Sequence, residues 1–127
     1  MYSNLPKNES TFDIKLIGDT TKVSYDGQFT VTCVLDVGGT QMLELERTRL
    51  TADYANPTGL LANISLALST LRAKIIKAPD WWYNLDSGAK IKDSEIIMAI
   101  YIQCETQEKK WRDSLEEKAK ETDPEKK

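Results

Sequence analysis

From Phe12 the chain alternates: Phe12, Ile14 and Leu16 are apolar, while Asp13 and Lys15 between them are charged. A period of two is that of a strand with one face in the core and the other in water. Residues 1–11 before and into it are polar and turn-rich, which reads as a flexible lead-in. Gly18-Asp19-Thr20-Thr21 supplies turn chemistry, and a short run through Val23 and Tyr25 meets Asp26-Gly27, a dipeptide favoured in two-residue type I′ hairpin turns. Phe29, Val31, Cys33 and Leu35 then share one face of a return strand, with Gln28, Thr30, Thr32, Val34 and Asp36 on the other. The expectation is an N-terminal three-stranded antiparallel sheet with one apolar face in need of a cover.

The cover follows Gly38-Gly39, which is expected to end the sheet. Residues 40–53 hold helix formers and mixed charges around Met42, Leu43, Leu45 and Leu50. Asn56-Pro57 reads as a helix start, with Asn capping and Pro in the first turn. Behind it, Leu60, Ile64, Leu68, Leu71 and Ile75 form one continuous stripe, widened by Leu61, Ala67 and Ile76, so this helix should be the most buried, with Pro79 stopping it. Ala78-Pro79-Asp80-Trp81-Trp82-Tyr83 places an aromatic cluster between two helices. After the Asp86-Ser87-Gly88 turn, Asp93 is positioned to cap a long final helix. Ile97, Ile100, Cys104, Trp111 and Leu115 recur on one face of that helix, with Ile96 beside them. Of the 23 residues from Glu105 to Lys127, 15 are charged, so the helix is expected to leave the globule past Ile102 and to fray before Asp123-Pro124. The fold class expected is α+β: the sheet covered by about three helices, with a long charged C-terminal helix. Residues 12–115 form one domain and 116–127 a charged tail.

Composition narrows the chemistry. At 127 residues the chain has one core, and folding should bury roughly two-thirds of the surface that the unfolded chain exposes. There is no histidine, which removes Ser-His and Cys-His nucleophile pairs, histidine zinc sites and a histidine pH switch. The formal charge of −3 is not that of a nucleic-acid binder. Cys33 and Cys104 lie in apolar patterns without C-x-x-C spacing and read as buried thiols; a bridge between them would require a secreted protein. The N-terminus lacks the layout of a signal peptide, and no apolar run approaches a membrane span. The expected location is therefore the cytoplasm, or a particle assembled in it.

Candidate chemistry is sparse. Glu44-x-Glu46, Asp93-x-Glu95 and Glu116-Glu117 are the closest acidic groups, but adjacent and i, i+2 acids do not share a helix face, so no metal or cofactor is expected. Lys74 and Lys77 flank the apolar stripe and are expected to reach solvent at the C-terminal end of their helix. No phosphate-cradling or nucleophile-elbow motif occurs, and the expectation is a protein that is not an enzyme. Trp81, Trp82 and Tyr83 could plug the core, contact a partner or stack bases, in that order of preference, because the lysines nearby are balanced by Asp80, Asp86 and Asp93. Trp111 and Leu115 have two readings of equal weight. The first is a solvated helix with i, i+4 pairs such as Glu105–Lys109 and Glu108–Arg112, each contributing about 0.3–0.5 kcal/mol. The second is an apolar seam presented to another subunit.

Lys22-x-x-Tyr25-x-Gly27-x-Phe29-x-Val31, the helix ending near Arg47-x-x-Leu50, the Lys77-Ala78-Pro79-x-Trp81-Trp82 corner and Asp93-x-x-Ile96-Ile97 come in an order that resembles a family. It is that of the small virion-associated or morphogenesis proteins of tailed bacteriophages, including the tail-assembly-chaperone-like group. The resemblance covers residues 12–115 and brings no active-site residue with it. It implies a non-enzymatic interaction protein of particle assembly, as a chaperone or a minor virion component. Its partners would be other virion or morphogenesis proteins, or further copies of itself, in the host cytoplasm or retained in the particle. Trp81, Trp82, Tyr83, Trp111 and Leu115 are the expected contact residues. An adaptor or inhibitor that binds a host protein would use the same surfaces, and a small ligand-binding domain would need a pocket at the aromatic corner.

Overall fold

A computed structural model describes residues 8–52 and 58–122, with side chains through Glu117. Its elements are β1 (Glu9–Ile17), β2 (Ser24–Thr32), α1 (Val37–Thr51), α2 (Gly59–Lys74), β3 (Ile75–Lys77), α3 (Asp80–Asn84) and α4 (Ser94–Thr122). The class is α+β, with a three-stranded antiparallel sheet in the order β1-β2-β3.

The alternation along β1 is realised: Phe12 and Ile14 are buried, whereas Glu9, Thr11, Asp13, Lys15 and Ile17 face solvent. Phe12 lies opposite Phe29, their rings stacked at 5.6 Å, and Leu16 lies opposite Tyr25. The lead-in is shorter than expected. Asn8 is already tied down, its side chain bonding Thr32 and the Val34 backbone, and β1 begins at Glu9.

The hairpin turn is not at Asp26-Gly27. The chain reverses at residues 18–23, where Lys22 adopts φ 61° and Gly18 bonds the Val23 carbonyl, and β2 runs unbroken through Asp26-Gly27. Gly27 answers a different need: a Cβ there would collide with the Pro79 ring, which crosses the strand at that point. The segments read as two strands are therefore one. The third strand is Ile75–Lys77, which pairs with the other edge of β2.

Helix boundaries shift for local reasons. Asp36 caps α1 by accepting from the Gly39 N–H at 2.7 Å, so Gly38-Gly39 sits within the first turn instead of ending the sheet. Thr58 caps α2 through the Leu61 N–H, and the expected Asn56-Pro57 start lies outside the described residues. The helix ends at Lys74, before Pro79, because Ile75 turns extended and joins the sheet. Pro79 instead caps the short helix that carries the aromatic corner.

The core lies between the sheet and α2, α3 and α4. Phe12, Ile14, Tyr25, Phe29 and Val31 from the sheet meet Ala67, Leu68 and Leu71 of α2, Trp82 of α3 and Ile96, Ile97, Ile100 and Cys104 of α4. Leu68 and Leu71 carry the α2 stripe inward, while Leu60, in its first turn, stays exposed. Buried Ser69 and Thr70 are satisfied by the carbonyls of Ser65 and Leu66 one turn earlier. α1 packs on α2 and contributes no buried residue.

Candidate functional site

Among the described residues, charged side chains reach into the molecule at three places, each joining elements distant in sequence. Asp93 is completely buried. Its carboxylate accepts from the backbone N–H groups of Thr20 and Thr21 at 2.8 and 3.0 Å, from the Thr21 hydroxyl at 2.5 Å and from the Tyr25 hydroxyl at 3.0 Å. From the position that opens α4, its side chain thus holds the β1–β2 turn. Beside it Glu95 accepts from the Asp19 N–H. The Thr21 hydroxyl leads in holding the Asp93 carboxyl below the usual carboxylate range. Burial opposes this, and the Thr21 and Thr20 amides and the Tyr25 hydroxyl reinforce it.

Lys74 does not reach solvent, correcting the expectation for it. It is buried and donates to Glu108 at 2.7 Å, and Glu108 also accepts from Arg112 at 3.0 Å. Burial pushes the Glu108 carboxyl upward, but the bonds from Lys74 and Arg112 outweigh it and hold the group below its ordinary value. The two thiols share this neighbourhood. Cys33 contacts the Gln107 carbonyl, and Cys104 is pushed up to about 12, mainly by burial. Both are free and buried.

Arg72 is the third anchor. It donates to Glu46 of α1 and to the carbonyls of Asp86 and Ser87, two residues in the left-handed region after α3. Hydrogen bonds from Arg49 first, then Arg72, hold Glu46 at about 2 against the opposing effect of burial.

The expected contact residues fall into different environments. Trp82 is 1% exposed, in edge-on contact with Phe29 at 5.7 Å, and belongs to the core. That withdraws it as a contact surface, since it has none to offer. Trp81 is half-buried at the rim. It sits against Tyr25 and Phe29, with its indole N–H donating to the Asp26 carbonyl at 2.9 Å. Of the three, Tyr83 is the one presented to solvent, at 51% exposure. The cleft beside them, lined by Arg72, Ile75, Trp82, Tyr83, Asp86 and Ser87, holds about 250 Å³.

Trp111 and Leu115 do not project beyond the globule. α4 stays on the fold past Ile102 through Cys104, Gln107, which bonds Ser10, and Glu108. The half-buried Trp111 and Leu115 instead line a groove of about 500 Å³ with Thr32, Val34, Leu35 and Ala73.

The sequence reading did not single out the outward face of α1. Leu45 is 66% exposed there and Val37 is 78% exposed in the first turn, while Met42, 64% exposed, lies to the side, lining a groove with Ser69, Arg72 and Ala73 of α2. The signal was available: the helix has apolar residues but no clean stripe, as expected of one with no face devoted to the core. Among the described residues no helix is long and apolar enough to cross a membrane. Comparison with family models, curated proteins and solved structures finds no match to this chain.

Proposed function

We propose that this chain is a non-enzymatic protein–protein interaction module acting in bacteriophage particle assembly, as an assembly chaperone or a minor virion component. The observation that carries the interaction role is α1. It is a fifteen-residue helix with no buried residue, yet it displays Val37, Met42 and Leu45 to solvent while Glu46 fastens it to Arg72 of α2. Large apolar side chains left in solvent along one helix mark a surface that a partner covers. The polar clusters at Asp93, Arg72 and Lys74–Glu108 are each engaged in holding elements together, which leaves recognition to the surface. The bacteriophage setting rests on the resemblance of the element order and the Pro79-x-Trp81-Trp82 corner.

The test is in situ cross-linking of tagged chain during particle assembly, followed by identification of the attached protein. A capsid or tail protein attached to wild type, and lost with Leu45→Glu at unchanged melting temperature, is the expected result. A host protein attached through the same residues would instead make the chain an adaptor or inhibitor. Capture that does not change with Leu45→Glu would remove α1 from the interaction.

A further inference from the structure

β1 is an edge strand: its nine residues pair with β2 on one side, and among the described residues no strand pairs with the other. Hydrogen-bonded and non-bonded pairs alternate along an antiparallel ladder. The bond from the Cys33 N–H to the Asn8 carbonyl fixes the phase, and the register continues without a shift through Ile17↔Ser24. Ser10, Phe12, Ile14 and Leu16 therefore direct their backbone groups toward β2. Thr11, Asp13, Lys15 and Ile17 direct theirs to the outer edge.

The segment along that edge is Phe12-Asp13-Ile14-Lys15-Leu16, which reads apolar, acid, apolar, base, apolar. It is self-complementary about Ile14. We propose that β1 pairs antiparallel with β1 of a second copy of this chain about a two-fold axis at Ile14, joining two three-stranded sheets into one. Asp13 then faces Lys15 of the second copy, and Lys15 faces its Asp13, on the solvent side. Phe12 faces Leu16 of the second copy, and Ile14 meets Ile14, on the core side. The pairs that exchange backbone bonds are Asp13 with Lys15 and Thr11 with Ile17, which are the residues whose amides and carbonyls already point outward.

Other registers fit worse. Centring on Asp13 sets Asp13 against Asp13, and centring on Lys15 sets Lys15 against Lys15, so each opposes like charges at the axis. Sliding to Phe12 sets Ser10 against Ile14, and sliding to Leu16 sets Asp13 against Asp19. An edge lysine usually blunts strand addition, but this one has its counter-charge two residues away in the same strand. Beneath the edge, Ala99 and Gln103 of α4 join Asp13, Ile14, Lys15 and Leu16 around a hollow of about 220 Å³, which leaves space for the second copy's apolar side chains. The interface is isologous and small, so the dimer is concentration-dependent. The pairing goes beyond the interaction-module reading, because it leaves the α1 face free.

The test is light-scattering mass of the full chain from about 1 μM to about 1 mM, the range in which modest affinities become visible. Wild type should rise from 14.4 kDa toward twice that mass. Asp13→Lys and Lys15→Asp, both exposed substitutions, should each remain monomeric with unchanged circular dichroism. Mixing the two variants, or combining both changes in one chain, should restore the dimer. A monomer throughout the range, or a dimer indifferent to both charge reversals, overturns the proposal. So does a dimer abolished by Leu45→Glu alone, since it would belong to α1. A monomer, or a dimer indifferent to the charge reversals, leaves the interaction-module reading standing, because that reading is decided separately by the cross-linking at Leu45.

Discussion

The Tyr25 hydroxyl donates to the carboxylate of Asp93 across 3.0 Å, and both residues are buried. The bond ties the start of β2 to the residue that opens α4, 68 positions away in sequence. Tyr25→Phe should cost about 1.5–3 kcal/mol in urea unfolding, the usual worth of a hydrogen bond to a charged group. Asp93→Asn should destabilise further, because one amide oxygen replaces two carboxylate oxygens serving four donors. Gly18→Ala belongs to the same set, since a Cβ there would collide with the Asp93 carboxylate. If Tyr25→Phe and Asp93→Asn are both neutral, the cluster does not hold the turn.

Acid should weaken the fold through the depressed carboxyls. Asp93, Glu46 and Glu108 all sit below their unfolded values, with Glu46 at about 2 against 4.5. A depressed carboxyl contributes stability that is fully present above its unfolded value and is lost as pH falls through the folded one. Melting temperature should therefore be flat above about pH 5 and fall toward pH 2, and Glu46→Gln should shallow the slope. A flat profile down to pH 2 would contradict the ion pairs of Glu46 and Glu108 and the Asp93 cluster together.

The Lys74–Glu108 pair predicts an asymmetry. Glu108→Gln leaves a buried ammonium without its counter-charge and should cost about 3–5 kcal/mol. Lys74→Met removes the buried charge, leaves Glu108 with Arg112 and should cost much less. Equal losses in urea titrations would show that packing of the lysine stem, not charge, dominates the site.

Leu71 and Leu60 lie on the stripe that the sequence presents as continuous, but only Leu71 is buried. Leu71→Ala should cost about 2–5 kcal/mol, and Leu60→Ala should stay within about 0.5 kcal/mol. At the corner, Trp82→Ala should cost about 3–5 kcal/mol, whereas Tyr83→Ala should leave stability nearly unchanged. A neutral Trp82→Ala would place that ring outside the core.

Both thiols should resist a water-soluble thiol reagent at about pH 8, where an ordinary cysteine is partly thiolate. Burial raises both, Cys104 to about 12. Reaction should appear only on addition of denaturant, with both sites released together. Rapid labelling of the native chain would mean that the Cys33–Gln107 region opens readily.

By itself the sequence determined what local chemistry controls. The alternation at Phe12–Leu16 specified β1, the spacing of Leu68 and Leu71 specified the buried side of α2, and the apolar order of the chain specified an α+β class. The rest was decided by contacts between distant residues. Asp26-Gly27 has turn chemistry, yet Pro79, packing from beyond α2, keeps it in a strand. Ile75–Lys77 continues a helical pattern, yet the free edge of β2 draws it into the sheet. Asp93 stands where a cap belongs, yet donors in the β1–β2 turn claim its carboxylate. Lys74 and Glu108 look like surface charges until α2 and α4 close over them. A one-dimensional pattern records a residue's own preference, not the donors, rings and strand edges that folding brings to it, and in this chain those decided the third strand, the buried charges and which apolar residues stayed outside.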